Sequence, residues 1–134
     1  MNLMDQSTLV AEQLDAGAEF VERMGKYVPL SAAFWGKRPD DEPMLYIASE
    51  KITDQNFDVA YGEVLRIAAE MQNPNFDPFQ VKIIWMNDPM TQDAISICHK
   101  FPLKLPTRIA RKVFGGRSMD EVYIYPVEVP VTAK

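Results

Sequence analysis

The sequence predicts an α+β domain, and three observations carry that prediction. Apolar residues recur at helical spacing in three separate stretches. Between and after them lie β-branched and aromatic runs bounded by turn chemistry. The 134 residues are 47% hydrophobic and 25% charged, which suits one globular domain with one core. A chain of that size buries about two thirds of its unfolded surface without needing metals or disulfides. The expected order is α-β-β-α-β-α-(short α)-β, with a four-stranded mixed sheet and helices packed mainly on one face. Residues 1–134 form the single domain, and residues 126–134 read as an extended C-terminal tail.

The first helix is expected over residues 5–25. Val10, Leu14, Ala18, Val21 and Met24 make one stripe, with Asp5 or Ser7 as cap and Gly25 as stop. "SAAFWGK" (31–37) and "MLYIASE" (44–50) follow as strands. The Pro-Asp-Asp cluster between them predicts an antiparallel hairpin. Residues 53–72 form the second helix, with Phe57, Tyr61, Val64, Ala68 and Met71 on one face and Thr53 or Asp54 at its start. "QVKIIWMN" (80–87) is a strand apolar on both sides, which places it centrally in the sheet. Asp88-Pro89 opens the third helix, because an N-cap acceptor followed by proline matches the first turn. Met90, Ala94, Ile97, Cys98 and Phe101 share its apolar side, and Pro102 ends it. Residues 107–114 read as a short helix with Gly115 as a left-handed stop. "DEVYIYPVEV" (120–129) is the last strand, its far end restricted by Pro126 and Pro130.

Charge is unevenly placed. Residues 94–119 carry six Lys/Arg and no acid, whereas the whole chain has a net charge of −5. An acidic protein is repelled from polyanions at long range, so any anion site must be local. In "KLPTRIARKVFGGRS" (104–118), Arg108, Arg111, Lys112 and Arg117 are the candidate anion- or partner-binding residues, and Gly115-Gly116 offers N–H groups for a nest. The segment matches neither a P-loop nor a dinucleotide fingerprint. It also lacks the aromatic platforms of single-strand binders.

Catalytic chemistry finds little support. Cys98 and His99 are helical neighbours and point about 100° apart, so they do not face each other. His99 is the single histidine, and no zinc ligand set accompanies it. Asp40, Asp41 and Glu42 in "RPDDEP" read as an exposed turn before they read as a Mg²⁺ site. Pro39-Asp40 has no later Glu-x-Lys, so the metal-nuclease pattern fails. The serines lack a nucleophile-elbow context. The N-terminal stretch has no basic region and acids from Asp5 onward, unlike a secretory signal. No apolar run approaches the ~18 residues of a membrane span. The single Cys98 fits a reducing compartment, so a soluble cytoplasmic protein is expected.

Trp35, Tyr46, Trp85, Tyr123 and Tyr125 stand on expected strands, with Trp35, Tyr46, Tyr123 and Tyr125 the candidate aromatic surface. On a sheet face left uncovered they would form an aromatic contact surface. The expectation is therefore a non-enzymatic interaction module without cofactor or metal. It would meet a protein partner or associate with itself as a homodimer, and it would make no membrane contact. The basic segment would orient an acidic surface or a phosphate. Local anion or nucleic-acid binding through residues 104–117 is the first alternative, and a carboxylate-based hydrolase is the second.

Overall fold

The computed structural model describes residues 9–100, 105–109 and 113–127. The fold is α+β. Helix α1 (Ala11–Tyr27) leads into the hairpin β1 (Ala32–Lys37) and β2 (Met44–Ala48), then α2 (Phe57–Met71). A 3₁₀ turn (Pro78–Gln80) precedes β3 (Val81–Ile83) and α3 (Pro89–Lys100). Four strands complete the described chain: β4 (Thr107–Ile109), β5 (Val113–Phe114), β6 (Arg117–Ser118) and β7 (Glu121–Ile124). The main sheet has five strands in the order β3-β2-β1-β7-β4, where four were expected, and β5-β6 form a separate two-stranded sheet.

The additional strands come from the basic segment. Thr107 and Ile109 alternate with exposed Arg108, and the three residues pair antiparallel with β7, Arg108 lying opposite Tyr123. Beyond them Val113 pairs with Ser118 and Phe114 with Arg117. Gly115 and Gly116 sit at φ 60° and 76°, the two positive values that a tight hairpin turn requires. The expected short helix is thus replaced by a sheet strand and a hairpin. Its apolar spacing is equally compatible with strand pairing once β7 supplies a partner.

The sheet's two faces are covered differently. Ala33, Trp35, Leu45, Ile47 and Val81 pack under α1 and α2. Ala32, Phe34, Tyr46, Ala48, Val122 and Ile124 pack with Met90 and Ala94 of α3 and with Phe114 of the hairpin. Two helices therefore share one face as expected, and α3 lies on the other. Among the described residues no helix is long and apolar enough to cross a membrane.

Local differences have physical causes. The buried side of α1 is Ala16, Gly17, Phe20 and Met24, so the expected stripe is rotated and Val10 and Ala18 face outward. Phe20 stacks on Phe76 at 4.9 Å, which fixes that rotation. Gly25 lies within α1, which closes two residues later where Val28 N–H donates to Met24 O. Asp5 and Ser7 lie outside the described residues, as do Phe101 and Pro102. Helix α2 starts at Phe57, since Thr53 and Asn56 spend their side chains on turn bonds to Gln55 N and Thr53 N. Strand β3 stands at the sheet edge, not its centre. Val81 and Ile83 face the cluster under α1 and α2 and Lys82 is exposed on the other side, while Ile84 and Met86, expected on that side, follow the strand and pack against the α3 cluster. The outward edge at Val81 is closed, because its N–H donates to Pro78 O and its carbonyl accepts from the Tyr61 hydroxyl. Asp88 does cap α3, its Oδ1 accepting from Met90 N at 2.8 Å. Residues 126–127 continue past β7 without regular structure, and the rest of the expected tail lies outside the described residues.

Candidate functional site

Helix α3 and the β5-β6 hairpin pack on Phe34, Tyr46, Ala48, Val122 and Ile124 of the sheet. Beside that cluster, along β2 and the β3 segment, lies an open groove of about 560 Å³. Met44 and Tyr46 of β2 and Lys82 to Ile84 of the β3 segment line its sheet side. Arg38, Asp41 and Glu42 come from the β1-β2 connection, Trp85, Asp88 and Met90 from the start of α3, and Arg117 from β6.

Local chemistry places each group. Pro39 and Asp40 occupy the centre of a turn closed by Asp41 N donating to Arg38 O at 3.1 Å, with Asp40 at φ 67°. Proline followed by a positive φ is the type II pattern, and it sets Arg38 and Asp41 at the two ends of one turn. Tyr46 is 6% exposed, and its ring stacks on Phe34 at 5.3 Å. Its hydroxyl makes no hydrogen bond among the described residues, whereas those of Tyr61 and Tyr125 both donate to backbone carbonyls. Burial pushes the Tyr46 pKa up, Arg117 and Arg38 pull it down, and Asp41 and Asp88 oppose them. Four charges thus act on one phenol at the groove. Trp85 is 42% exposed and leans on Phe57 with ring centroids 5.6 Å apart.

The basic segment does not converge into one cationic cluster. Arg108 forms an ion pair with Glu121 and lies 5.4 Å from the Tyr123 ring centre. Those contacts are the strand-pairing geometry of β4 on β7 and hold the guanidinium along the sheet. Arg117 lines the groove, and Arg111 and Lys112 lie outside the described residues. The Gly115 N–H already meets an anion of the chain itself, the Asp93 carboxylate at 2.7 Å. That bond docks the hairpin on α3 and commits the Gly115 N–H to a carboxylate of the chain.

The aromatic candidates are mostly interior. Trp35 and Tyr125 are 1% and 2% exposed. Trp35 Nε1 donates to the Tyr125 hydroxyl at 2.9 Å, and that hydroxyl donates to Leu14 O at 2.6 Å. Tyr123 is half-buried and makes an edge contact with Tyr125 at 5.5 Å. An open aromatic sheet face is therefore corrected: α1 and α2 cover Trp35 and Tyr125, and the α3 side covers the Tyr46 ring. Sequence reasoning missed Arg38 and Lys82, and it did not bring Trp85 together with them, since nothing along the chain links the three.

Burial raises the Tyr125 pKa far above the ordinary tyrosine range, and the Trp35 hydrogen bond opposes it only in part. The native state thus prefers the neutral phenol. The unfolded chain loses that proton near pH 10, so this contribution to stability is complete below pH 10 and falls as pH rises beyond it. Urea unfolding at pH 8 to 11 is expected to show a steeper alkaline loss in the wild type than in Tyr125→Phe.

Other chemistry is dispersed. Cys98 is half-buried and burial raises its thiol pKa, while the adjacent His99 is exposed. A second cavity of about 700 Å³ gathers Asp40, Asp41, Glu42 and Asp120 around Lys37. That lysine is 5% exposed, and its ammonium donates to Arg38 O at 2.7 Å and Asp120 Oδ2 at 3.3 Å. Among the described residues, no three His, Cys, Asp or Glu side chains are placed to hold a metal ion. No known family model, curated protein or solved structure matches this chain.

Proposed function

We propose that this chain is a binding domain without catalytic chemistry of its own, and that the groove beside β2 and β3 is its working surface. The observation that carries this is the open groove along β2 and the β3 segment, where the Tyr46 hydroxyl, without a hydrogen bond among the described residues, lies beside side chains from four separate segments. Concave sites with a few convergent polar groups on an apolar base are where proteins hold ligands. The groove retains the idea of a local site fed by the basic segment, since Arg117 belongs to it. It replaces self-association through an aromatic sheet face, because Trp35, Tyr46 and Tyr125 are committed to the core. Hydrolysis by carboxylates has less support, because the acids of the second cavity surround an ammonium that is already bonded. A cytoplasmic location accompanies this reading, with Cys98 kept as a half-buried thiol.

A fragment screen followed by backbone amide NMR tests the proposal. Hits are expected to move the signals of Arg38, Met44, Lys82, Trp85 and Arg117 together. A screen whose hits fall elsewhere, or which yields none at these residues, overturns it.

A further inference from the structure

The pattern of charge around Tyr46 points to one class of ligand, on the footing that the groove is the binding surface. Five arginines lie among the described residues. Arg23, Arg66 and Arg108 are ion-paired with carboxylates of the chain. Arg38 and Arg117 make no ion pair among the described residues, and both line the groove. Lys82 joins them there, and Asp41, Glu42 and Asp88 stand in the same lining. Three cations and three carboxylates therefore surround one opening.

That balance disfavours simple ions. A phosphate entering beside Arg38 and Arg117 meets Asp41 and Asp88, and a cation entering beside Asp41 meets the guanidiniums. A molecule with one charge of each sign satisfies both sets. Tyr46 is 6% exposed as a residue and its hydroxyl, which makes no hydrogen bond among the described residues, is free to donate to a ligand acceptor. Guanidinium groups favour carboxylates through paired N–H donors. The half-exposed Trp85 ring and the neighbouring Ile84 offer an apolar stretch of the lining.

We propose that the groove binds a free amino acid with an apolar or aromatic side chain. Its carboxylate is held by Arg38, Arg117 and the Tyr46 hydroxyl, its ammonium faces Asp41 and the outer oxygen of Asp88, and its side chain lies along Trp85.

The test is an NMR titration of the intact chain with L-phenylalanine and L-leucine, alongside L-phenylalaninamide and N-acetyl-L-phenylalanine. The expected result is saturable binding of the free amino acids at the groove residues, with both capped derivatives at least tenfold weaker. Tyr46→Phe and Arg117→Gln are each expected to weaken binding at least fivefold with an unchanged melting temperature, since neither group is bonded within the described chain. N-acetyl-L-phenylalanine binding as tightly as the free amino acid overturns the inference and leaves a plain anion site. Fragments that occupy the groove while no free amino acid does so overturn it as well, with the binding surface itself intact. A groove silent to fragments and amino acids alike removes both.

Discussion

Gly115→Ala is expected to lower the unfolding free energy by roughly 4 kcal/mol, the largest loss expected of an alanine exchange at any of the glycines. Two costs combine. Gly115 sits at φ 60°, a backbone region where an L side chain costs about 1–2 kcal/mol. An added Cβ would also stand 2.6 Å from the backbone N and Cα of Met90. Backbone at a helix start cannot swing aside as a side-chain tip can, and overpacking of this kind costs about 1–3 kcal/mol. Relief would require the hairpin to lift from α3, which breaks the Gly115 N–H bond to Asp93 and uncovers Phe114. The neighbouring glycine separates the two costs. Gly116 has φ 76° and nothing within 4 Å of its would-be Cβ, so Gly116→Ala should lose only about 1–2 kcal/mol. Urea unfolding of the two variants measures the difference. Equal losses would mean that the hairpin is not seated against Met90.

What the sequence showed and what it hid divide along the range of the forces involved. Asp88-Pro89 was legible because a cap and a proline act within one turn, and α3 begins where they place it. The β1-β2 hairpin was legible because Pro39 and Asp40 form the turn by local chemistry and runs rich in aromatic and apolar residues flank it on both sides. The basic segment was not. Ile109, Val113 and Phe114 fit helical spacing, and Thr107 and Ile109 fit strand alternation. The choice falls to Tyr123 and Glu121, whose partners on β4 come together only in the folded sheet. A double glycine between Phe114 and Arg117 is compatible with a hairpin turn, but glycine after an apolar run also ends helices, which is how the sequence reads. The groove was invisible for a related reason. Arg38, Tyr46, Lys82 and Arg117 come from four segments, and only the folded sheet brings them to one groove. The Trp35 and Tyr125 rings are core for a separate reason, the cover that α1 and α2 give the opposite face.

Gly17→Ala should destabilise the fold by about 2–3 kcal/mol, although the same exchange one helix later should stabilise it. Both glycines lie inside helices, where alanine is preferred by about 1 kcal/mol. On α2, Gly62 is exposed and its added Cβ meets nothing within 4 Å, so Gly62→Ala should gain about 0.5–1 kcal/mol. On α1, the Cβ at position 17 would stand 2.4 Å from the Tyr125 hydroxyl oxygen and 2.7 Å from Trp35 Nε1. Those two atoms are bonded to each other, and the hydroxyl also serves Leu14 O, so moving either ring breaks a buried chain of donors and acceptors. An unsatisfied buried group costs about 1–3 kcal/mol, and the steric displacement adds a comparable amount. The packing loss therefore exceeds the helix gain. Thermal and urea unfolding of both variants should move in opposite directions. A Gly17→Ala protein as stable as Gly62→Ala would show that α1 does not rest on the Trp35–Tyr125 pair. A double variant with Tyr125→Phe distinguishes the two components: removing the hydroxyl clears the 2.4 Å contact, so Gly17→Ala should cost less in that background than in the wild type.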